Sequence, residues 1–161
     1  MKLGEAPTET IPLFAGMRPS QARVVVLMGE VKHFAPGETI VRQGEQGDEM
    51  YVVLRGRAEI WGTTDGARRR LAEAGRGDVI GEMGLVRSAE RSADVIATAD
   101  TEVLAVDARF LQRIQRRYPR IASRVFLNLT KILSDRLEAA NVRFLRARLA
   151  GGGAVAQQSG R

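Results

Sequence analysis

The chain contains no cysteine. That removes disulfides, thiol nucleophiles and thiolate zinc sites from consideration, and leaves the redox compartment open. It has one histidine, His33. A histidine-built metal site is therefore excluded, and beside Phe34 this residue reads as a surface or packing residue, not a catalytic base. Long apolar runs are missing too: the longest, Val24 to Met28, has five residues, against roughly 20 for a membrane-spanning helix. The opening Met1-Lys2-Leu3-Gly4-Glu5 lacks the apolar stretch of a secretion signal, so a soluble cytoplasmic protein is expected. Lysine is scarce, with only Lys2, Lys32 and Lys131, so the net charge of +6 comes from arginine. Such an excess suits a nucleic acid or an anionic membrane, but a bias towards arginine codons produces it equally well. Aromatic residues make up 5% of the chain and never interleave with the arginines as on a nucleic-acid stacking platform. The charges are accordingly read as spread over solvated faces. Even Arg68-Arg69-Arg70, placed on a strand, point to alternate sides.

With 161 residues the chain fits one domain with a real core. Residues 1–12, with Pro7 and Pro12, read as a flexible tail, residues 13–150 as the folded body, and residues 151–161 as a second flexible tail. Leu13 to Met17, then Pro19 and Ser20 opening Gln21 to Met28, predict a short amphipathic helix with proline near its first turn. From Val31 to Val106 the pattern changes to short β-runs: Thr39–Val41, Met50–Leu54, Ala58–Trp61, Arg68–Ala72, Asp94–Ala97 and Glu102–Val106. Turn signals at Gly37, Gly44, Gly47, Gly56, Asp65-Gly66 and Gly75/Gly77 separate them. The fold class is α+β: an antiparallel, jelly-roll-like β-roll with a short N-terminal and a long C-terminal helix. An enzyme on such a roll would bring metal-binding histidines or a nucleophile–base pair, and the sequence offers neither.

Asp107 can N-cap a helix that runs to Tyr118 and is interrupted at Pro119. A second helix, from about Arg120 to Ala150, carries Ile121, Val125, Leu129, Ile132, Leu133, Leu137, Ala140 and Phe144 at steps of three and four. Its length, roughly 45 Å at 1.5 Å per residue, exceeds what so small a roll can cover. Pairing of this helix in a homodimer is therefore expected. Gly151-Gly152-Gly153 should end it.

The densest chemistry lies in residues 81–93, Gly81-Glu82-Met83-Gly84-Leu85-Val86-Arg87-Ser88-Ala89-Glu90-Arg91-Ser92-Ala93. Gly81 and Gly84 admit a close backbone approach. A helical turn starting near Glu82 would aim N–H groups at an anion. Glu82 can accept from a ribose hydroxyl, while Arg91 can bind a phosphate through two parallel hydrogen bonds with Ser92 adding a hydroxyl. Together with Phe34–Glu45, Gly47–Gly56, Val106–Phe110 and Pro119, this segment resembles the cyclic nucleotide-binding domains, over about Leu13 to Asn141. The form Arg91-Ser92-Ala93 is most similar to the sensor domain of the bacterial cyclic AMP receptor proteins.

The resemblance implies a non-enzymatic sensor that binds a cyclic mononucleotide, cyclic AMP ahead of cyclic GMP, uses no cofactor, and regulates an unknown effector protein. By the same carry-over, Glu82 holds the ribose 2′-hydroxyl and Arg91 the phosphate, aided by Ser92 and by backbone N–H groups around Gly81, Met83 and Gly84. Ile60 and Leu71 touch the base. Arg87, in the same loop, lies off the family position. A module with a vestigial pocket and a cyclic di-GMP receptor on the same fold remain alternatives. Two departures stand out. Where the bacterial receptors place a Thr-Ser pair against adenine, this chain has Ala140-Asn141, of which only Asn141 can read a base edge. And eleven residues follow Ala150, too few for the receptors' helix-turn-helix domain, so no sequence-specific DNA binding is expected. The chain is then a stand-alone subunit or a fragment, and Met1 favours the former.

Overall fold

A computed structural model of the chain describes residues 11–64, 66–86 and 88–152. Of the proposed tails, 1–12 and 151–161, residues 1–10 and 153–161 fall outside them, as do Asp65 and Arg87. A 3-10 turn at Pro12–Phe14 leads into helix α1, Pro19–Met28. Ten strands follow, β1 to β10: Glu30–Phe34, Thr39–Val41, Gln46–Gly47, Glu49–Arg55, Ala58–Thr64, Ala67–Ala74, Val79–Ile80, Ala89–Glu90, Asp94–Ala97 and Thr101–Asp107. A short helix α2, Glu82–Val86, separates β7 from β8, and α3 (Ala108–Arg117) and α4 (Pro119–Gly152) close the chain. Every strand pairing is antiparallel, in sheets ordered β1-β10-β4-β7 and β2-β9-β5-β6 with a small β3-β8 ladder. This is the antiparallel roll with terminal helices that the sequence predicts.

The two sheets differ in what covers them, and the sequence of β4 shows why. Successive side chains of a strand point to opposite faces. Met50, Val52 and Leu54 join Leu104 and Val106 of β10 in a core shared with Ala22, Val25, Phe110, Ile114, Val125 and Leu129 of the helices. Tyr51 and Val53 point the other way, into the roll, to meet Val103, Ala105, Ile40, Val95 and Ala97. A strand covered on both sides must be apolar throughout, hence the unbroken run Met50 to Leu54. Strand β6, with an outer face left to solvent, alternates little and is almost wholly exposed.

Strand β1 and the two-residue strands β3, β7 and β8 escape the sequence reading, because two residues carry no periodicity and β1 reads Glu-Val-Lys-His-Phe. Ile11, assigned to the tail, is 3% exposed and belongs to the core. Asp107 caps α3 as expected, accepting from the Phe110 N–H at 2.6 Å. The C-terminal helix does not stop at Ala150 but includes Gly151 and Gly152. Neither glycine is incompatible with helical dihedrals; each only lowers the helix propensity.

One polar side chain stitches the N-terminal turn to α4. The Asn128 amide, 7% exposed, donates to the carbonyl oxygens of Leu13 (2.8 Å) and Ala15 (3.0 Å). Those carbonyls lie in a turn where the backbone cannot partner them. Asn128→Ala therefore leaves two acceptors unpaired and should destabilise the fold by about 1–3 kcal/mol. Urea unfolding should show this as a lower midpoint at an unchanged slope.

Candidate functional site

Four elements converge on one cavity. Strand β7 ends at Ile80, Gly81 turns the chain with φ +72°, and α2 starts at Glu82. Strand β8 then returns to Arg91, whose backbone is fixed by Arg91 N–H donating to Glu45 O (2.9 Å) and Gly44 N–H donating to Arg91 O (2.9 Å). Helix α4 supplies Arg136. The cavity, about 320 Å³, is walled by apolar Val41, Ile60, Val79, Ile80 and Val95, with Glu82, Glu90, Arg91, Ser92 and Arg136 as its polar groups. Its volume lies at the lower end of the range for small-molecule sites.

The Arg91 guanidinium is seated by backbone carbonyls. Its Nη1 donates to Gly81 O (3.1 Å) and its Nη2 to Glu49 O (2.7 Å), and it stands 5.9 Å from the centre of the Tyr51 ring. No carboxylate pairs with it among the described residues. Two carbonyls use only part of a donor set that numbers five N–H groups. The seat exists because three residues lack a Cβ. One added at Gly47 would lie 2.2 Å from Arg91 Nε, one at Gly81 2.3 Å from Nη1, and one at Gly84 3.0 Å from Nη1. The sequence reading assigned Gly81 and Gly84 to the approach of a ligand; in the structure they make room for the arginine that lines the cavity. It read Gly47 only as a turn signal. The Gly84 N–H, expected among the anion-binding amides, donates to Gly81 O at 3.0 Å.

Behind Arg91 lies a second cavity of about 230 Å³, lined by Arg42, Glu45, Gly47, Asp48, Glu49 and Tyr51 among others. Here Lys32 Nζ donates to Glu49 Oε1 at 2.6 Å, and the Tyr51 hydroxyl donates to the same oxygen. Burial pushes the Tyr51 phenol up, the Glu49 hydrogen bond adds to it, and the result is about 12. For the Lys32 ammonium, burial pulls down, but the Glu49 hydrogen bond and the neighbouring Tyr51 and Glu49 charges outweigh it, so its pKa is raised.

Glu82 is held from above. Arg136 Nη1 lies 3.4 Å from Glu82 Oε2, and Nη2 of the same residue donates to Val79 O. The sequence reading, which followed the apolar positions of the long helix, missed Arg136. Its signal was its position, one helical turn before Ala140 and on the side of the helix that also carries Ile132.

Of the nine predicted site residues, Gly81, Glu82, Met83, Gly84, Arg91, Ser92 and Ile60 line the cavity. Leu71 and Asn141 do not. Leu71 sits where the β5–β6 register slips between Ile60 and Trp61, so it has no partner across the ladder; its Cδ1 covers Gly62 and the residue is 58% exposed. Asn141 is exposed on α4, five residues beyond Arg136, where the helix has left the roll behind. Neither position reaches the cavity in this arrangement.

The description "Cyclic nucleotide-binding domain" matches residues 31–118, more than half of the chain. The chain belongs to that family. It is 33% identical over 132 residues to the "Cyclic AMP receptor protein" of Thermus thermophilus, an alignment that takes in 81% of this chain and 59% of that protein. To a "cAMP-dependent protein kinase regulatory subunit" of Mycosarcoma maydis it is 30% identical, over 80% of this chain and 22% of the relative. Among solved structures, the Thermus thermophilus catabolite activator protein superposes with a TM-score of 0.73 at 32% identity, covering 85% of this chain and 63% of that one. The chain thus spans less than two thirds of the length of these relatives. The family is one of regulatory binding domains. No helix among the described residues is long and apolar enough to cross a membrane.

The glycine seat yields a contrast in stability. A methyl at Gly84 meets the carbonyl oxygens of Glu49 and Gly47, both at 2.9 Å, which are backbone and cannot move aside cheaply. A methyl at Gly47 meets only the movable end of Arg91. Gly84→Ala should cost about 1–3 kcal/mol despite alanine's better helix propensity. Gly47→Ala should cost less than about 1 kcal/mol and nothing further in an Arg91→Ala background, a coupling that a double-mutant cycle measures.

Tyr51 yields a pH dependence. Its pKa is raised from 10.0 to about 12 in the fold, so the unfolded chain releases this proton first. Its contribution to stability is complete below pH 10 and is lost as the pH climbs towards 12. Tyr51→Phe should flatten the fall in stability over that window relative to the unmutated chain.

Proposed function

We propose that this domain binds a 3′,5′-cyclic mononucleotide, cyclic AMP ahead of cyclic GMP, without turning it over, and passes its occupancy to α4. The observation that carries this is the placing of a carboxylate and a guanidinium, Glu82 and Arg91, on one apolar cavity of about 320 Å³, with that carboxylate also tied to Arg136 of α4. A cyclic phosphate offers Arg91 charged acceptors in place of neutral carbonyls, and such charge-assisted bonds are roughly twice as strong. Ser92 adds a hydroxyl at the rim. Glu82 Oε2 faces Arg136, which leaves Oε1 for a ribose hydroxyl. Ile60 supplies apolar contact to the base. The preference for adenine rests on the names of the two relatives, a "Cyclic AMP receptor protein" and a "cAMP-dependent protein kinase regulatory subunit". Asn141 contributes to base reading only if α4 shifts.

Helix α4 also supports the homodimer. Phe126, Thr130, Leu133, Leu137, Ala140 and Phe144 alternate at steps of four and three, a coiled-coil seam, and Phe126, Leu137 and Phe144 are 37%, 64% and 61% exposed. The proposed sensor acts in the cytoplasm as a dimer that an effector protein reads.

Calorimetric titration with cyclic AMP, cyclic GMP and cyclic di-GMP tests the reading. Cyclic AMP should bind most tightly, and no linear AMP should appear on incubation. Absence of binding by either mononucleotide at millimolar concentration overturns it. Arg91→Ala should weaken binding roughly 30-fold to several thousand-fold, because removing one partner of a buried ion pair costs about 2–5 kcal/mol. Arg91→Lys should recover only part, since an ammonium lacks the planar fork. Arg136→Ala should leave the phosphate contact intact but uncouple α4, seen as equal proteolysis of α4 with and without nucleotide.

A further inference from the structure

The arginine excess is not spread over the molecule. Residues 30–107, which make the roll, hold fifteen Asp and Glu against ten Lys and Arg, a net charge of −5 in a chain of net +6. Residues 11–29 and 108–134 hold Arg18, Arg23, Arg109, Arg113, Arg116, Arg117, Arg120, Arg124 and Lys131, and no carboxylate at all. These two segments are the 3-10 turn, α1, α3 and the first half of α4, which share one core over one face of the β1-β10-β4-β7 sheet. All nine cations are exposed, and none enters an ion pair among the described residues. The expectation of dispersed charge therefore fails: the fold sorts a cationic helical layer from an acidic roll.

Helical spacing sharpens the pattern. Arg109, Arg113 and Arg116 recur at steps of four and three along one side of α3, opposite neither Phe110 nor Ile114 but beside them. On α4, Arg120, Arg124, Leu127 and Lys131 form a stripe separate from both the buried face and the Phe126–Phe144 seam. Contacts join the helices: Arg113 Nη2 donates to Met28 O at the end of α1 (3.5 Å), and Arg124 lies over Gly16 before Arg18. Two large apolar side chains stand exposed within the stripes, Leu27 at 75%, four residues after Arg23, and Leu127 at 61%, four residues before Lys131.

We propose that this helical layer docks on an anionic membrane surface. Clusters of four to eight basic residues suffice for attraction to anionic headgroups, each contributing roughly a factor of five near the surface. Leucines among arginines suit the headgroup boundary, where the apolar side chain enters and the guanidinium stays with phosphate. A nucleic acid fits less well. Helix α3 is pinned by buried Phe110 and Ile114 and does not project into a groove, and the layer's exposed aromatic ring, Phe126 at 37%, lies on the separate Phe126–Phe144 seam and not among the arginine stripes.

Sedimentation with vesicles of phosphatidylcholine, alone or with phosphatidylglycerol at about one part in three, tests the proposal on the full chain. The chain should sediment with the anionic vesicles only, and less so as salt is raised. The triple variant Arg109→Gln, Arg113→Gln, Arg116→Gln should bind at least about tenfold more weakly. The triple variant Arg57→Gln, Arg69→Gln, Arg70→Gln, with the same charge change on the roll, should bind as the unmutated chain does. Leu27→Ser with Leu127→Ser should also weaken binding; it decides the matter if the first variant does not fold. Absence of binding to anionic vesicles overturns the proposal. So does equal weakening by both triple variants, or tighter binding to duplex DNA than to anionic vesicles at the same physiological salt.

Discussion

The site is organised around one guanidinium held by backbone carbonyls. Arg91 links the carbonyl after β7 to the carbonyl that opens β4, and its own backbone closes the β3-β8 end of the roll. Three segments distant in sequence thus share one side chain. The glycines at positions 47, 81 and 84 follow from it, since a Cβ at any of them would press on the guanidinium or on the carbonyls that seat it. A cation satisfied only by neutral acceptors keeps its charge uncompensated. In an apolar cavity that favours an anion over water. The Lys32–Glu49–Tyr51 cluster behind it anchors Glu49, whose backbone oxygen is half of the seat.

Much of this arrangement was legible in the residues. Strand positions were readable where burial is two-sided and the apolar run unbroken, as at Met50 to Leu54, and where a turn glycine marks the ends. The Asp107 cap was readable because the residue type and its place before a helical pattern specify one hydrogen bond. That Glu82 and Arg91 share one cavity was readable from their chemistry and spacing together with the family resemblance. What was not legible depends on long-range geometry. No local pattern tells that Gly47, more than forty residues from Arg91, exists to admit its guanidinium. Nor does any tell which turn of a long helix faces the roll, and that is why Arg136 was missed and Asn141 over-read. Leu71 was misplaced by a single bulge, which one-residue periodicity arguments cannot anticipate.

Charge shows the same division between local and global. Read along the chain, the charges already divide, since residues 11–29 and 108–134 carry nine cations and no carboxylate while residues 30–107 carry fifteen carboxylates. Folding brings the two cationic segments, distant in sequence, together as one helical layer over the roll. Composition fixes the net charge, but the fold fixes its dipolar distribution, and a partner meets the distribution.

The link between cavity and helix is weak, and a switch needs it to be so. The Glu82–Arg136 pair is part-exposed, with side chains 27% and 37% accessible, and an ion pair in such a setting contributes about 0–1 kcal/mol. Beyond Arg136 every described side chain of α4 is exposed, so little else on this domain restrains the distal half of the helix. With the Arg136 bond to Val79 O as the other hold on this turn and the core packing confined to the first half of α4, undocked states of the distal half lie within reach at equilibrium in the proposed switch. A ligand that engages the second oxygen of Glu82 and draws on Arg91 needs only a modest differential affinity to shift that balance. Were Arg136 instead buried in a strong pair, the same ligand would bind and nothing would move. In the proposed function the pocket supplies affinity through Arg91, and α4 supplies responsiveness through the weakness of its hold on Glu82.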